Sequence, residues 1–309
     1  MRILIWHVHG AWMTGFVQGA HTYLVPTVPD RGPDGRGRAA TYDWPDSVVE
    51  VGPEEAAPAD VVILQRPHEL EGLAARWLGG RVPGRDIPAV YLEHSTPQGR
   101  IAEMRHCAAD RSDLLLVHVT HFNRLFWDSG TTDSVVIEHG VPDPGYRYRG
   151  TTPRGVAVIN EPVRRGRVTG TDLLPVLARG IDLDLFGMAT EALGGHSVTQ
   201  ATLHGMLGER RVYVHPFRWT SLGLSLIEAM LLGMPVACLA TTEAAEVIPS
   251  EAGIVSNDVD KIVAALRRMR DDPQYARACG AAARKAALQR FSLERFLADW
   301  DAVLARVTA

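Results

Sequence analysis

The sequence predicts an α/β protein made of two doubly wound parallel sheets in tandem. Short apolar runs rich in Val, Ile and Leu recur along its 309 residues, and such runs are typical of strands buried on both faces. Helical stretches separate most of these runs, which is the alternation expected of parallel sheets. The length is also sufficient for two ordinary domains.

The first half begins with an apolar run that predicts a strand. A glycine-bounded turn is expected over residues 9–15, and residues 16–28 predict β structure because they lack a helical stripe. Residues 29–38 predict a loop, since Gly, Pro, Asp and Arg dominate them. The predicted strands of this half cover residues 2–9, 60–65, 87–93, 114–119 and 134–138, with helices at about 69–79 and 121–129.

The second half repeats the alternation after a Pro- and Gly-rich linker predicted at 142–153. Its predicted strands cover residues 155–160, 182–186, 211–214 and 235–239, and its predicted helices cover about 170–180, 198–207, 223–232, 258–271 and 273–289. A last helix is predicted at 292–307, with Ser292 as its N-cap.

Two domains are expected from this organisation. The first covers residues 1–148, with the C-terminal helix 292–309 packing back on it, and the second covers residues 149–291. Two open sheets in tandem are expected to face a central crevice at the carboxyl ends of their strands, where α/β proteins bind ligands.

Composition narrows the class of protein. Hydrophobic residues make up 46% and charged residues 22%, as in soluble globular proteins, and a net charge of −4 gives no support to nucleic-acid binding. The three cysteines match no metal or redox spacing. No apolar run approaches the ~20 residues that cross a bilayer. The apolar run at the N-terminus is predicted to be a strand and is too short for a signal peptide, so none is expected there. A cytoplasmic enzyme is expected, with peripheral attachment to the inner membrane face as an alternative.

The most informative segment is residues 211–236, which predicts a strand, a polar loop, a helix beginning at Gly223 and a stop at Gly233. The free N–H groups and the dipole at the start of such a helix favour a phosphate. Glu228 lies one to two turns inside the helix, within reach of a ligand's hydroxyl groups.

This segment resembles the donor-binding signature of retaining GT-B glycosyltransferases of family 4 (group 1), P-S-x-x-E-x-F-G-x-x-x-x-E-A-M-x-x-G-x-P-V. The sequence R-F-S-L at 290–293 resembles the family's R-F-S-W. In the first half, Y-L-E-H-S-T at 91–96 is similar to a strand ending in F-H-T, and I-E-H-G-V-P at 137–142 is similar to I-P-N-G-V-D. The resemblance covers both halves and is strongest from 211 to 240.

The resemblance implies a GT-B fold and a retaining glycosyltransferase. Such an enzyme moves a sugar from a UDP-, GDP- or TDP-sugar to the hydroxyl of a glycan, lipid or small molecule that the sequence does not identify. Front-face attack beside the departing diphosphate is implied, with no cofactor and no metal. Domain closure is expected to exclude water.

The resemblance also assigns donor-binding residues. The backbone N–H groups of Gly223 and Leu224 would meet the phosphates, and Glu228 would accept hydrogen bonds from the ribose hydroxyls. The loop before them contributes Thr220, Ser221 and Leu222. Alternatively, Gly223 is an ordinary helix start and Glu228 a solvated carboxylate.

Further site residues are implied on three other segments. Arg164 and Arg167 would act as catalytic cations on the diphosphate, with Arg165 also binding the donor; the register among the three stays open. His94 would contact the donor sugar, and the turn containing Gly10 and Gly15 would approach the reacting atoms. The alternatives are a solvated basic loop, a buried satisfied histidine and an ordinary tight turn.

Two departures from the family pattern keep other functions open. Thr220 stands where the family has its first Glu, which touches the donor sugar, and a β-like stretch replaces the family's long helix after the first strand. A non-catalytic nucleotide-sugar-binding module and a GT-B sugar-nucleotide epimerase are therefore the alternatives.

Metal and dinucleotide chemistry find little support in the sequence. The histidine pairs His7/His9 and His118/His121 lack a third metal ligand at a suitable spacing. The G-x-G-x-x-G dinucleotide fingerprint is absent after the first strand. Both histidine pairs are therefore interpreted as core or crevice residues.

Overall fold

A computed structural model describes residues 1–53 and 55–309, which form two compact units. The first unit comprises Met1–Pro142 and Leu293–Ala309, and the second comprises Asp143–Ser292. The predicted boundaries are 148/149 and 291/292, so residues 143–148 lie in the second unit rather than the first.

The first unit contains a seven-stranded parallel sheet within the described residues, in the order β3-β2-β1-β4-β5-β6-β7. Its strands are β1 (Arg2–Ile5), β2 (Thr22–Pro26), β3 (Val48–Val51), β4 (Val61–Leu64), β5 (Ala89–Glu93), β6 (Leu115–His118) and β7 (Asp133–Val136). Its helices include α1 (Gly10–Phe16), a π-helical turn at Glu69–Leu73, α2 (Ala74–Trp77), a 3₁₀ turn at Ile101–Glu103 and α3 (His121–Phe126). Every residue of β4 is buried, because helices and loops cover both faces of a parallel sheet.

The second unit contains a five-stranded parallel sheet among the residues described, in the order β12-β11-β10-β8-β9. Its strands are β8 (Thr152–Val158), β9 (Leu183–Phe186), β10 (Arg210–His215), β11 (Val236–Cys238) and β12 (Gly253–Val255). Its helices are α4 (Pro162–Arg165), α5 (Leu174–Leu177), α6 (Gln200–Glu209), α7 (Leu224–Leu232), α8 (Ala244–Val247), α9 (Val259–Asp271) and α10 (Pro273–Arg290). Short 3₁₀ turns lie at Gly166–Thr169, Thr171–Leu173, Glu191–Leu193 and Ser250–Ala252.

The core of the second unit follows from the apolar strands and one stripe of α9. Val212 and Val214 of β10 belong to the same buried cluster as Ile262 and Leu266, which are one turn apart on α9. The side chain of Asp258 accepts hydrogen bonds from the first turn of that helix and so fixes where it begins.

The C-terminal helix α11 (Leu293–Thr308) packs within the first unit. The Trp300 ring lies 5.6 Å from Trp12 and 5.0 Å from Phe16 of α1 between ring centroids. A Cβ atom at Gly140 would come within 2.1 Å of Phe296 Cβ, so α11 lies directly against the backbone at residue 140.

One prediction of local structure in the first unit is wrong, and two others are correct only in part. Gly10–Phe16 is helical rather than a glycine-bounded turn, because Trp12, Met13 and Phe16 share one buried face that packs partly on α11. The predicted strand at 2–9 ends at Ile5, and the predicted helix at 69–79 is interrupted at Gly72, whose φ is 151°.

In the second unit the helix predicted at 170–180 is reduced to a 3₁₀ turn and the short α5. Strand β12 has no counterpart among the predicted elements. Its three residues pair with β11 on one side and are only partly buried. None of the helices in the described ranges is both long and apolar enough to span a membrane.

Candidate functional site

The amino end of α7 has no side-chain cap. Gly223 is the N-cap residue, and its backbone is extended (φ −69°, ψ 125°). Leu226–Leu232 are all buried, so the core holds the helix in place. Among the other predicted donor-binding residues of this segment, Leu222 is buried. The rest are partly buried: Thr220, Ser221 and Leu224. Uncapped N–H groups and the helix dipole at this point favour an anion.

The neutral imidazole of His215 packs against this end of α7. His215, the last residue of β10, is 3% exposed, and its ring stacks on Phe217 with centroids 4.3 Å apart. Burial lowers the pKa of His215 to about 3. The side chain is therefore uncharged at neutral pH and contributes no positive charge at the helix start.

Glu228 is buried in α7 and faces two side chains of α6, of which Gln200 is hydrogen-bonded to it. Gln200 Nε2 donates a hydrogen bond to Glu228 Oε1 at 2.7 Å, and His204 Nε2 lies 3.4 Å from Oε2. With 6% of its surface exposed, Glu228 is not a solvated helix carboxylate. The hydrogen bond from Gln200 orients the carboxylate, as a pre-organised binding group requires.

The three predicted arginines differ in their partners. Arg164 lies in α4 and is exposed, and its Nε donates to Glu161 Oε1 at 3.0 Å. Arg167 is exposed in the next 3₁₀ turn and donates to Asp172 Oδ2 at 3.0 Å. Arg164 thus has the neighbouring carboxylate of Glu161, whereas Arg167 shares Asp172 with Arg218.

Arg165 makes no ion pair in the part of the chain that the structure describes. It is partly buried, and its guanidinium carbon lies 5.8 Å from the centroid of the Phe217 ring. Because Phe217 stacks in turn on His215, Arg165 is connected to the start of α7 through two rings. Burial, then the charge of Arg164, lowers the pKa of Arg165, as expected for a cation that lacks a counterion.

The loop carrying these arginines is anchored to the segment before α7. The backbone N–H groups of Arg218 and Trp219 both donate to Val168 O, at 2.9 and 3.2 Å. Arg218 Nη1 also donates to Asp172 Oδ1 at 2.6 Å. A Cβ atom at Gly170 would meet Pro216 O at 1.8 Å, so the two backbones touch there. The basic loop and the α7 loop therefore form one rigid surface within the second unit.

In the first unit Gly10 and Gly15 are helical residues of α1. Gly15 is buried, and a Cβ atom there would lie 2.7 Å from Gly140 O. Close packing of the helix on the backbone thus accounts for this glycine. Gly10 is the first residue of α1, where a Cβ atom would crowd the Tyr42 ring at 2.9 Å.

His94 follows β5 and is partly buried. Its Nε2 atom lies 2.9 Å from Gln65 Oε1, and its ring centroid is 4.1 Å from that of His9 and 5.1 Å from that of Trp12. The surrounding protein, then His9 and His139, hold the pKa of His94 well below its usual value, so the imidazole is neutral near pH 7.

The histidine pairs considered as metal ligands have separate surroundings. His7 and His9 lie after the end of β1, although both fall inside the strand predicted at 2–9, and His7 Nδ1 lies 3.0 Å from Gly37 O. His118 is fully buried, whereas His121 begins α3 and is exposed. No group of three His, Cys, Asp or Glu side chains suited to a metal ion occurs in residues 1–53 and 55–309.

Comparison with solved structures defines the fold class. A sucrose-phosphate synthase from Thermosynechococcus elongatus matches with a TM-score of 0.71 at 14% identity, over 99% of both chains. HepE of Anabaena, solved with UDP-glucose, matches with a TM-score of 0.74 at 14% identity, over 99% of this chain and 100% of that one. A pneumococcal O-GlcNAc transferase, GtfA, solved with UDP and GlcNAc, matches with a TM-score of 0.61 at 13% identity, over 80% of this chain and 56% of that one. The fold is therefore that of the GT-B glycosyltransferases.

The sequence comparison agrees with the fold. Residues 193–286 match the family described as glycosyl transferases group 1. They include α6, α7 and Glu228. A comparison with curated proteins gave no match. The predicted resemblance to group 1 glycosyltransferases with the GT-B fold is confirmed.

Several residues that shape these surroundings were not predicted. Gln200 and His204 are four residues apart on α6, and no motif marks them as partners of Glu228. Phe217 belongs to the signature segment, but only the fold brings Arg165 to its ring. Gln65 ends a predicted strand, which was the one available signal, since polar side chains at the carboxyl ends of parallel strands often bind ligands.

Proposed function

We propose that the protein transfers a sugar from a nucleoside-diphosphate sugar to a hydroxyl acceptor, with retention of the anomeric configuration. The observation that carries the proposal is the unpaired Arg165 guanidinium, joined through Phe217 and His215 to the uncapped amino end of α7. A diphosphate is the ligand that this combination of a cation and free amide groups favours.

Each part of the donor would have its own partner. The N–H groups at Gly223 and Leu224, together with Arg165, would bind the diphosphate, with Thr220 and Ser221 close to the transferred sugar. Glu228 would accept hydrogen bonds from the ribose hydroxyls while Gln200 holds its other oxygen. His94 would hold a substrate hydroxyl through its imidazole.

The proposed reaction needs no protein nucleophile. The bond between the anomeric carbon and the diphosphate oxygen breaks, and the acceptor oxygen bonds to the same face of that carbon. The acceptor's proton passes to the departing phosphate oxygen. Arg165 and the α7 amides would stabilise the negative charge that develops on the diphosphate. We propose that this step requires no metal ion.

Uridine diphosphate sugars are the first donors to test. HepE of Anabaena was solved with UDP-glucose and GtfA with UDP and GlcNAc, and both share this fold. GDP- and TDP-sugars form the rest of the panel. The signature segment would contact the phosphates and the nucleoside sugar rather than the base. It would therefore not separate UDP from GDP, whereas the deoxyribose of TDP lacks one of the two hydroxyls that Glu228 would bind.

The test combines binding with turnover. Thermal shifts with UDP, GDP, TDP and ADP identify the nucleotide, because a ligand that binds only the folded state raises Tm. Release of nucleoside diphosphate is then followed with the matching sugars in the presence of EDTA. Glu228→Gln should weaken nucleotide binding about tenfold or more, since a charge-assisted hydrogen bond contributes about 1.5–3 kcal/mol.

Glu246→Gln is the matched control, because Glu246 is an exposed carboxylate on α8 of the same unit. It should bind nucleotide like the wild type. Equal binding by Glu228→Gln and wild type would contradict the proposed site. Inversion of the anomeric configuration in the product would contradict the proposed mechanism.

A nucleotide-sugar-binding module without turnover is the second candidate, and Thr220 favours it. The family's carboxylate at this position contacts the donor sugar, whereas Thr220 offers only a hydroxyl group. Stable donor binding without transfer to any acceptor in a broad panel would support this candidate. Conversion of the bound sugar to its epimer would instead support a sugar-nucleotide epimerase.

A further inference from the structure

The amide group of Gln65 has only one possible orientation. Its Nε2 atom lies 2.8 Å from the backbone oxygen of Trp6, and its other amide atom faces His94. A backbone carbonyl only accepts hydrogen bonds, so the NH₂ group must point to Trp6 O. Gln65 is 8% exposed, which leaves it little freedom to turn.

This orientation determines which nitrogen of His94 carries the proton. Gln65 Oε1 is an acceptor, and His94 Nε2 lies 2.9 Å from it, so Nε2 must donate. A neutral imidazole holds one proton, and Nδ1 is then an acceptor. Among the described residues, Nε2 is the His94 atom that takes part in a hydrogen bond, and the side chain is partly exposed.

The neighbours of His94 keep the ring neutral and in place. The His9 ring approaches from the start of α1 at 4.1 Å, and the Trp12 ring is nearly perpendicular at 5.1 Å. His139, after β7, is a further titratable neighbour whose charge would disfavour an imidazolium at His94. Apart from Gln65, the nearby groups therefore oppose protonation of His94.

We propose that Gln65 is a positioning residue that holds His94 in the Nε2–H form, so that Nδ1 accepts a hydrogen bond from a substrate hydroxyl. This inference rests on the proposed function for the identity of the ligand, but the protonation state of His94 does not depend on it. A substrate that lacks a hydroxyl donor at this point would lose the contact, whereas one with an extra acceptor would be repelled.

The protonation state is measured directly on the intact protein. Long-range ¹H–¹⁵N correlation spectra distinguish the two neutral tautomers and the imidazolium, and His94→Asn assigns the signals. We expect the Nε2–H tautomer of His94 at pH 7 in the wild type. An Nδ1–H tautomer, or an imidazolium at pH 7, would overturn the proposal whether or not transfer is observed.

Gln65→Glu tests the consequence for activity. A carboxylate beside Nε2 would favour the imidazolium, in which Nδ1 is a donor and no longer accepts. The acid limb of kcat/KM should move upward by about one to three pH units, with activity regained above it. Gln18→Glu is the matched control, because Gln18 is exposed in the same unit and should leave the profile unchanged.

An acid limb at the same pH in both variants would also overturn the proposal. Gln65→Leu, which removes both hydrogen bonds, should give a mixture of His94 tautomers in the same spectra. If nucleotide binding by the second unit fails in all variants and in the wild type, the proposed function is wrong while the tautomer assignment stands.

Discussion

Gly223 lies so close to His215 that no Cβ atom fits between them. A Cβ atom at residue 223 would come within 2.7 Å of His215 Cε1. The φ of Gly223 is −69°, which any residue adopts, so space rather than backbone conformation requires glycine here. The His215 ring cannot move aside easily because it is buried and stacked on Phe217.

Gly223→Ala should therefore destabilise the fold and weaken nucleoside-diphosphate binding. Overpacking of this kind usually costs about 1–3 kcal/mol, and the amides that begin α7 would shift with it. Urea denaturation and nucleotide titration measure the two effects. In a double-mutant cycle with His215→Ala, the cost of Gly223→Ala should fall, since the clash has been removed.

Gly205→Ala provides the control for that substitution. Gly205 lies within α6, where a Cβ atom would have open space, and alanine there should stabilise the helix by about 0.5–1 kcal/mol. If Gly223→Ala changes the free energy of unfolding equally in the wild type and in the His215→Ala variant, then the contact with His215 is not the reason that residue 223 must be glycine.

The three arginines should differ in their effect on diphosphate binding. Arg165→Gln removes the cation without a counterion and should lower nucleoside-diphosphate affinity by about 10- to 100-fold, as expected for a charge-assisted hydrogen bond. Arg164→Gln should have a smaller effect, because Glu161 already balances that charge. Isothermal titration at two salt concentrations measures both, and the loss of affinity should be larger at low salt.

Arg179→Gln controls for a general change of charge in the second unit, because Arg179 is exposed and pairs with Asp260 on α9. It should bind nucleotide as the wild type does. A larger loss of affinity for Arg164→Gln than for Arg165→Gln would assign the diphosphate to the other guanidinium.

Sequence information was sufficient where local signals determine the structure. The segment from β10 through α7 was predicted to within one or two residues at each end, because Gly223 and Gly233 mark its start and stop. Gly233 has the left-handed φ of 89° that a helix C-cap favours. Most of the parallel strands were predicted from continuous apolar runs, and both sheets confirm that fold class.

Sequence information was insufficient where contacts between residues far apart in the chain determine the local structure. The helix α1 contains two glycines and was predicted as a turn, and its stability depends on Trp300 of α11. Within the described residues, strand β3 pairs with β2 alone and is buried at Val48 and Val51 but not between them, so it lacks the continuous apolar run that predicted most of the other strands. The ion pairs of the basic loop depend on the carboxylates of Glu161 and Asp172. Sequence spacing does not predict where these carboxylates lie, so it does not predict that Arg165 is the arginine without an ion pair among the described residues.

Burial of His118 should make the protein less stable in mild acid. His118 is fully buried, and neither ring nitrogen has a hydrogen-bond partner among the described residues. Burial, then the neighbouring charges of His106 and Arg124, lowers the pKa of His118 to about 3, against 6.5 in the unfolded chain. The unfolded state therefore binds more protons between these values, and stability is complete above 6.5 and falls as pH decreases toward 3.

His118→Leu should remove this dependence. The contribution of one such histidine approaches about 1.4 kcal/mol for each pH unit below 6.5, so the unfolding free energy of the variant should fall less steeply than that of the wild type. Urea denaturation between about pH 7 and pH 5 measures the slopes. His121→Asn, at an exposed position on α3, should keep the wild-type slope. If the slopes of wild type and His118→Leu are parallel over this range, then His118 is not a buried neutral imidazole, and water or a counterion must reach its ring.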